Sequence, residues 1–366
     1  MSETGAVRTE IRKLTLPFDS MKTIYEGACE VRLYRNEITG KLQVGKRIDL
    51  LGLEESVAGM EAKLLTSIRH DNVAPVTEVA VVGDYTPPLK VIEMVMPYYE
   101  RGSLFDAMYT RGERFSLAEA RRLTVEALRG ASEINETHGI LHRDHKTPNV
   151  FIDDDGHARI GDLGVAVEME SDRTAEAYPN AQLFSPPETF TTRRVSRRSE
   201  VYQLGLVAFE LVNGPLPYDE NPIDDVIKRL EKGRRGPRKE DLAAFKPWVP
   251  KQMRTVIGKA IRVKPEERFA NAMAFSDALR KVRMIDWSQT LDEPDRKLWE
   301  GASVQKRDRR YRVEATQRLR GGGWKLTGSQ CVSRWQRVRE DQIVPEPLGA
   351  AAASFFESIL DASFNT

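Results

Sequence analysis

Cysteine is scarce in this chain: Cys29 and Cys331 are the only two in 366 residues, too few for a disulfide framework and in keeping with a reducing compartment. No apolar run approaches the roughly 20 residues that a membrane span needs. The stretch from Met1 to Arg12 is polar, so neither an anchor nor a secretory leader is expected, and the compartment read from the sequence is the cytoplasm. Excess charge is lacking too. Lys and Arg total 56 against 55 Asp and Glu, a net charge of +1, which by itself selects no class of partner. No Cys or His pairs have zinc spacing; His138, His142 and His145 lie close in sequence but read as structural. Internal repeats are absent. What is present is 40% hydrophobic content over a length that allows two lobes and a further module.

The most informative segment is His142-Arg143-Asp144-His145-Lys146-Thr147-Pro148-Asn149, followed by Asp162-Leu163-Gly164. It sets an acid, a cation and an amide at fixed offsets. Such a loop can aim Asp144 at an incoming hydroxyl and Asn149 at Mg²⁺, while Asp162 chelates metal that bridges phosphates.

On these residues the chain resembles a eukaryotic-type protein kinase, and the resemblance extends over about residues 16–286. In Gln43-Val44-Gly45-Lys46-Arg47-Ile48, Lys46 falls where the family places the lysine on the α- and β-phosphates. Leu53 to Ile68 reads as a helix with apolar Val57, Met60, Leu64, Leu65 and Ile68, and Glu61 on it matches the glutamate that clamps the lysine. Val76–Val82 and Lys90–Met96 read as an antiparallel pair around a turn at 83–88. Met96 resembles the residue at the back of the adenine pocket, with Pro97, Tyr98 and Tyr99 as the hinge; Gly27, Val31 and Phe151 complete the implied nucleotide contacts. Ser103 is placed to cap the first large-lobe helix. Phe184-Ser185-Pro186-Pro187-Glu188 is similar to the end of an activation segment, with Arg268 as the buried ion-pair partner of Glu188. Ser199 to Val212 resembles the central large-lobe helix, with Glu200 standing where the family usually has Asp and still able to accept from the catalytic-loop backbone.

Three departures accompany the match. The phosphate loop has one glycine, Gly27, in Ile24–Val31, and carries Glu26 and Glu30; Gly45 should weaken the strand that bears Lys46; and Ala181 replaces a threonine that in the family ties the substrate loop to Asp144 and Lys146.

Beyond the match the composition shifts. Lys306 to Arg339 holds eleven basic residues against Asp308 and Glu314. Tyr311–Leu319 and Trp324–Trp335 read as the strands of a hairpin around Arg320-Gly321-Gly322-Gly323, with Trp299 packing under it. The segment is either an anion-binding surface for nucleic acid or an acidic partner, or a solvated face of a small β extension. Gly349 to Asn365 reads as a short docking helix.

The resemblance implies an α+β, bilobal protein-kinase-like fold with a small β-rich lobe, a larger helical lobe and a C-terminal β extension. The expected divisions are a tail at 1–15, the small lobe at 16–96, the large lobe at 97–286, a basic β-rich module at 287–344 and a tail or docking helix at 345–366. It implies a Ser/Thr protein kinase using ATP and Mg²⁺ on a protein substrate. Lys46, Glu61, Asp144, Lys146 and Asn149 are the implied catalytic residues, and Asn149 and Asp162 the metal ligands. Arg143 is expected to pair with a phosphate on Thr174, or next on Ser171. The alternatives left open are a silent scaffold with the same fold, a small-molecule phosphotransferase and a polyanion-binding protein with a regulatory kinase domain.

Overall fold

The computed structural model describes residues 18–25, 30–49, 66–82, 91–179, 181–243, 245–305 and 309–365. Gly27, Glu61, most of the helix expected over 53–68, the turn at 83–88, and Lys306 and Arg307 lie outside the described residues. The chain divides into a smaller unit, residues 1–67 and 75–98, and a larger one, residues 68–74 and 99–366.

The smaller unit is an antiparallel sheet of β1 (Phe18–Tyr25), β2 (Glu30–Asn36), β3 (Leu42–Asp49), β4 (Glu78–Val81) and β5 (Val91–Pro97), ordered β1-β2-β3-β5-β4. The run of Val91, Ile92, Met94 and Val95 is buried, as a central strand requires. Gly45 on β3 has a packing reason. Any side chain there would collide with the Tyr34 ring and the Glu93 carboxylate, and Tyr34 and Arg47 converge on Glu93, the latter at 3.2 Å. The glycine expected to weaken the strand is what lets this polar cluster close over it.

The larger unit begins with a π-helical turn at Asp106–Thr110, so the helix expected to start at Ser103 is instead a tight turn. Reciprocal bonds close it: Asp106 Oδ2 accepts from Ser103 N at 2.8 Å, and Ser103 Oγ from Asp106 N at 3.1 Å. Helix α1 (Leu117–Ser132) follows, opened by a Ser116/Glu119 capping box. Short strands β6 (Ile140–Leu141), β7 (Val150–Ile152), β8 (Ala158–Ile160), β9 (Val167–Glu168), β10 (Thr174–Glu176) and β11 (Arg194–Ser196) pair as β6-β9, β7-β8 and β10-β11. The remaining lobe helices are α2 (Glu188–Thr191), α3 (Arg197–Asn213), α4 (Ile223–Glu231), α5 (Lys239–Ala243), α6 (Lys251–Ala260) and α7 (Ala272–Arg280). Every residue of α3 from Ser199 to Val212 is buried, so this helix is the axis of the unit and its polar residues must find partners inside it.

After α7 comes an antiparallel sheet of β12 (Ile285–Asp292), β13 (Arg296–Ser303), β14 (Arg310–Gln317), β15 (Trp324–Cys331), β16 (Trp335–Arg337) and β17 (Gln342–Val344), then α8 (Ala350–Asn365). The first four strands form a meander, and β16 and β17 pair with opposite ends of β15. The second strand of the expected hairpin therefore stops at Cys331. Trp299 does not pack under the hairpin: it sits in the neighbouring strand β13, with its ring fully buried on the inner face beside Tyr311 and Val313.

Helix α8 covers that face with Ala352, Phe355, Phe356, Ile359 and Leu360. Phe356 meets Trp287 and Trp299 edge-on at 5.2 and 5.4 Å. A side chain at Gly328 would strike Ile359, so the helix seats against bare backbone. Trp248, which precedes α6, reaches the same core at 5.9 Å from Trp299. Two helix starts of the lobe are capped from this extension: Asp286 accepts from Ala118 N of α1, and Glu357 from Lys251 N of α6, each at 2.9 Å.

Candidate active site

The loop 142–149 is sewn to one face of α3. Glu200, Gln203 and Glu210 sit three and ten residues along that helix, close to whole turns, so they project the same way. Glu200 Oε1 accepts from the backbone N–H of His142 and, at 3.0 Å, of Arg143. Its other oxygen takes Asn135 Nδ2 at 2.6 Å and lies 3.3 Å from His145 Nε2. Burial alone would push the Glu200 carboxyl up, yet His145 and these donors hold it below its ordinary value. Gln203 accepts from His145 N at 3.3 Å and donates to Arg143 O at 3.0 Å. Glu210 takes Thr147 Oγ1 at 2.8 Å, Leu216 N at 2.9 Å and Tyr218 OH at 2.8 Å; its burial raises it to about 7.

His142 is fully buried, and its Nε2 lies 2.9 Å from Gly161 O while Nδ1 accepts from Asp144 N. Burial, with His145 beside it, lowers its pKa to about 4. It is therefore a neutral ring with a set tautomer at pH 7, a support rather than a proton carrier.

So held, the loop takes a backbone that a bulky residue rarely adopts, with φ 67° at Arg143; Asp162 shows the same at 62°. The functional side chains converge beyond it. Lys146 Nζ lies 2.9 Å from Asp144 Oδ2. Asn149 Nδ2 donates to Asp144 O at 2.9 Å and to Asp144 Oδ2 at 3.0 Å. Those bonds orient the Asn149 amide and leave its Oδ1 as the oxygen a hard cation such as Mg²⁺ would take. Gly161 N donates to Asn149 O at 3.0 Å, which ties Asp162, an exposed carboxylate, next to Asn149 in the chain path. Among the described residues no group of three or more His, Cys, Asp or Glu side chains is gathered for a metal.

The model of the protein kinase domain matches residues 19–279. The chain belongs to the protein kinase family. It is similar to serine/threonine-protein kinase Nek4 of Mus musculus, 26% identical over 65% of this chain and 29% of the relative. It is also similar to serine/threonine-protein kinase 12 of Arabidopsis thaliana, 27% identical over 75% and 58%. A probable serine/threonine-protein kinase of Clostridium perfringens is 23% identical over 72% and 36%. The chain thus spans well under two thirds of the length of each of these relatives.

In kinase terms, the larger unit brings Asp144, Lys146 and Asn149 together. Its Glu188 and Arg268 form a two-pronged buried pair at 2.6 and 2.8 Å. Tyr99 and Phe151 are also here, with rings 5.9 Å apart. Lys46 lies in the smaller unit, on β3 opposite Val31 and Met94, and Met96 and Pro97 lie on β5.

Two expectations change. The first is the lost tether at Ala181. Gln182, the next residue, accepts from Lys146 Nζ at 2.9 Å, so the substrate loop is tied to the catalytic loop after all. An amide adjacent to the missing hydroxyl was the signal in the sequence. The second is the pairing of Arg143 with Thr174. Arg143 is spent on the carbonyls of Val165 (2.5 Å) and Glu176 (2.9 Å). The Thr174 hydroxyl donates to Asp172 at 2.8 Å and accepts from Arg194, in the strand β11 that pairs with β10.

The basic stretch is also less one-sided than its composition. Arg312 pairs with Glu300 at 2.5 Å and lies over the Trp335 ring at 4.3 Å; Arg296 pairs with Glu314 at 2.6 Å; Lys325 and Arg337 share Asp341 at 2.8 and 3.2 Å. A face whose cations are answered across the strands is poorly suited to phosphates. No helix among the described residues is long and apolar enough to cross a membrane.

Proposed function

We propose that the chain is a Ser/Thr protein kinase that moves the γ-phosphoryl group of ATP, with Mg²⁺, to a protein hydroxyl. The observation that carries this is the cluster of Asp144, Lys146 and Asn149, held by α3 within hydrogen-bond distance of one another. Asp144 orients the acceptor hydroxyl and takes its proton as the new P–O bond forms and the bond to the β-phosphate oxygen breaks, ADP leaving. Lys146 balances charge on the transferred group, and Asn149 and Asp162 hold the metal. Bound Mg²⁺ supplies neutralisation of the phosphate oxygens. Lys46, with Glu61 as its clamp, takes the α- and β-phosphates, and Gly27, Val31, Met96, Pro97, Tyr99 and Phe151 contact the nucleotide. Lysine two residues after the catalytic aspartate favours Ser or Thr as acceptor, an assignment that rests on the family resemblance and on the named relatives.

The test is transfer of labelled γ-phosphate to a mixed Ser/Thr/Tyr peptide set, with and without Mg²⁺, by the full chain and by Asp144→Asn and Asp162→Asn. Loss of transfer in both variants with folded protein, and label on Ser or Thr, is expected. Undiminished transfer by Asp162→Asn overturns the assignment, and no transfer by the parent chain favours the silent scaffold.

A further inference from the structure

Beside the catalytic loop the larger unit has an open groove of about 260 Å³, lined by Lys146, Pro148, Gln182, Leu183, Phe184, Tyr218, Asn221, Ile223 and Val226. Its polar wall groups are already used. Lys146 is bound to Asp144 and Gln182. Asn221 donates to Pro217 O and Asp241 Oδ2 and accepts from Arg229. The Tyr218 hydroxyl donates inward to Glu210, which is fully buried and so closed to any occupant. A polar side chain entering this groove would give up water and meet no free partner. An apolar one would meet Leu183, Phe184, Val226 and Ile223, the last 51% exposed at the mouth.

The rim is of one sign. Asp219, Glu220, Asp224 and Asp225 are all exposed around Tyr218 and Ile223. Arg238 answers Glu220 and Lys228 answers Asp225, which leaves a net negative edge. The groove is also continuous with the candidate active site, because Lys146 borders both it and Asp144. A chain with its hydroxyl at Asp144 can place a neighbouring side chain in the groove within about three residues, at roughly 3.3–3.6 Å per extended residue.

We infer that this groove is a specificity pocket of the protein substrate, taking an unbranched or aromatic apolar side chain, Leu, Met or Phe, near the acceptor, with Lys or Arg flanking it. The inference rests on the kinase reading of the same loop and names the class of substrate that reading leaves open.

The experiment is a positional-scanning peptide library around a fixed Ser or Thr, read in two ways with the full chain: rate of phosphate transfer, and peptide affinity by fluorescence anisotropy with Mg²⁺ and a non-hydrolysable ATP analogue. At one position Leu, Met or Phe should exceed Ala and Asp by roughly tenfold or more, the scale of burying one such side chain. Ile223→Asp, at the exposed mouth, should reverse that preference toward Lys or Arg. Transfer with a flat profile at every position overturns the pocket and leaves the kinase reading standing. Selective binding without transfer overturns the kinase reading and leaves the groove as a peptide site. Neither transfer nor selective binding overturns both.

Discussion

The pair Glu188–Arg268 lets a stability effect be worked from geometry. Arg268 has five N–H donors, and all five are used. Nε goes to Arg262 O at 2.6 Å; Nη1 to Arg198 O at 3.0 Å and Glu188 at 2.6 Å; Nη2 to Val263 O at 2.7 Å and Glu188 at 2.8 Å. Its side chain is 0% exposed and lies over the Tyr202 ring, while Glu188 is 7% exposed and also accepts from Ser199 at 2.7 Å. Glu188→Ala leaves a buried guanidinium with two donors unmet and no countercharge, a loss of about 3–5 kcal/mol. Arg268→Ala should cost as much or more, since it strands three carbonyls as well as the carboxylate. Those carbonyls also mean that an apolar pair would not substitute neutrally, as it can at other buried ion pairs. The double variant should fall short of the sum by about 1–3 kcal/mol. Urea unfolding followed by tryptophan emission is a suitable assay, because all five tryptophans, at 248, 287, 299, 324 and 335, belong to the larger unit. The signal then follows that unit in a chain that need not unfold in one step. A Glu188→Ala cost below about 1 kcal/mol, or strict additivity, would refute the reasoning.

Gln182→Ala, which frees Lys146, should lower kcat on a Ser/Thr peptide by roughly ten- to hundredfold through misplacement, with unfolding unchanged; an unaltered kcat removes Gln182 from any positioning role. His142, whose ordinary value of 6.5 drops to about 4 in the folded chain, binds a proton more readily when unfolded. Its contribution, about 3 kcal/mol, is therefore present above pH 6.5 and lost as pH falls from there toward 4; a ring resonance that titrates near 6.5 by NMR contradicts this. Glu210, raised to about 7 by burial, has the opposite sign: its contribution is lost as pH rises from 4.5 through 7, so Glu210→Gln should flatten the alkaline side of the stability profile between those values. Glu357→Ala removes the acceptor at the start of α6 and should cost about 1 kcal/mol by the same urea assay; no change would mean that the extension adds nothing to that helix.

What the sequence made legible, and what it hid, follows from how far apart the cooperating residues lie. The loop 142–149 could be read because its chemistry is packed into eight consecutive positions, and Glu188, Arg268 and Glu200 could be read because a fold with a buried polar axis constrains them to named places. Gln182 was passed over because a tether is defined by where a side chain ends, not by the position it starts from; an amide one residue later reaches the same lysine. Gly45 was read as a weakness because strand propensity knows nothing of Tyr34 and Glu93, which come from other strands and need the space. The basic stretch shows the same limit most sharply. Counted along the chain from 306 to 339 it is a strong positive run, yet its charges are answered by residues outside that window: Glu300 on β13 faces Arg312 across the sheet, and Asp341 gathers Lys325 and Arg337. Cross-strand register, which a linear count cannot see, converts a run of one sign into a mixed face. The inner face of the same sheet was half-legible, since Tyr311, Val313 and Ala315 alternate as a buried strand should. Its cover was not, because the docking of α8 depends on a missing side chain at Gly328 and on Trp248, which lies far upstream in the lobe. A contact made through absence or over that separation leaves no local pattern, and the role of such residues becomes visible only when the elements are assembled.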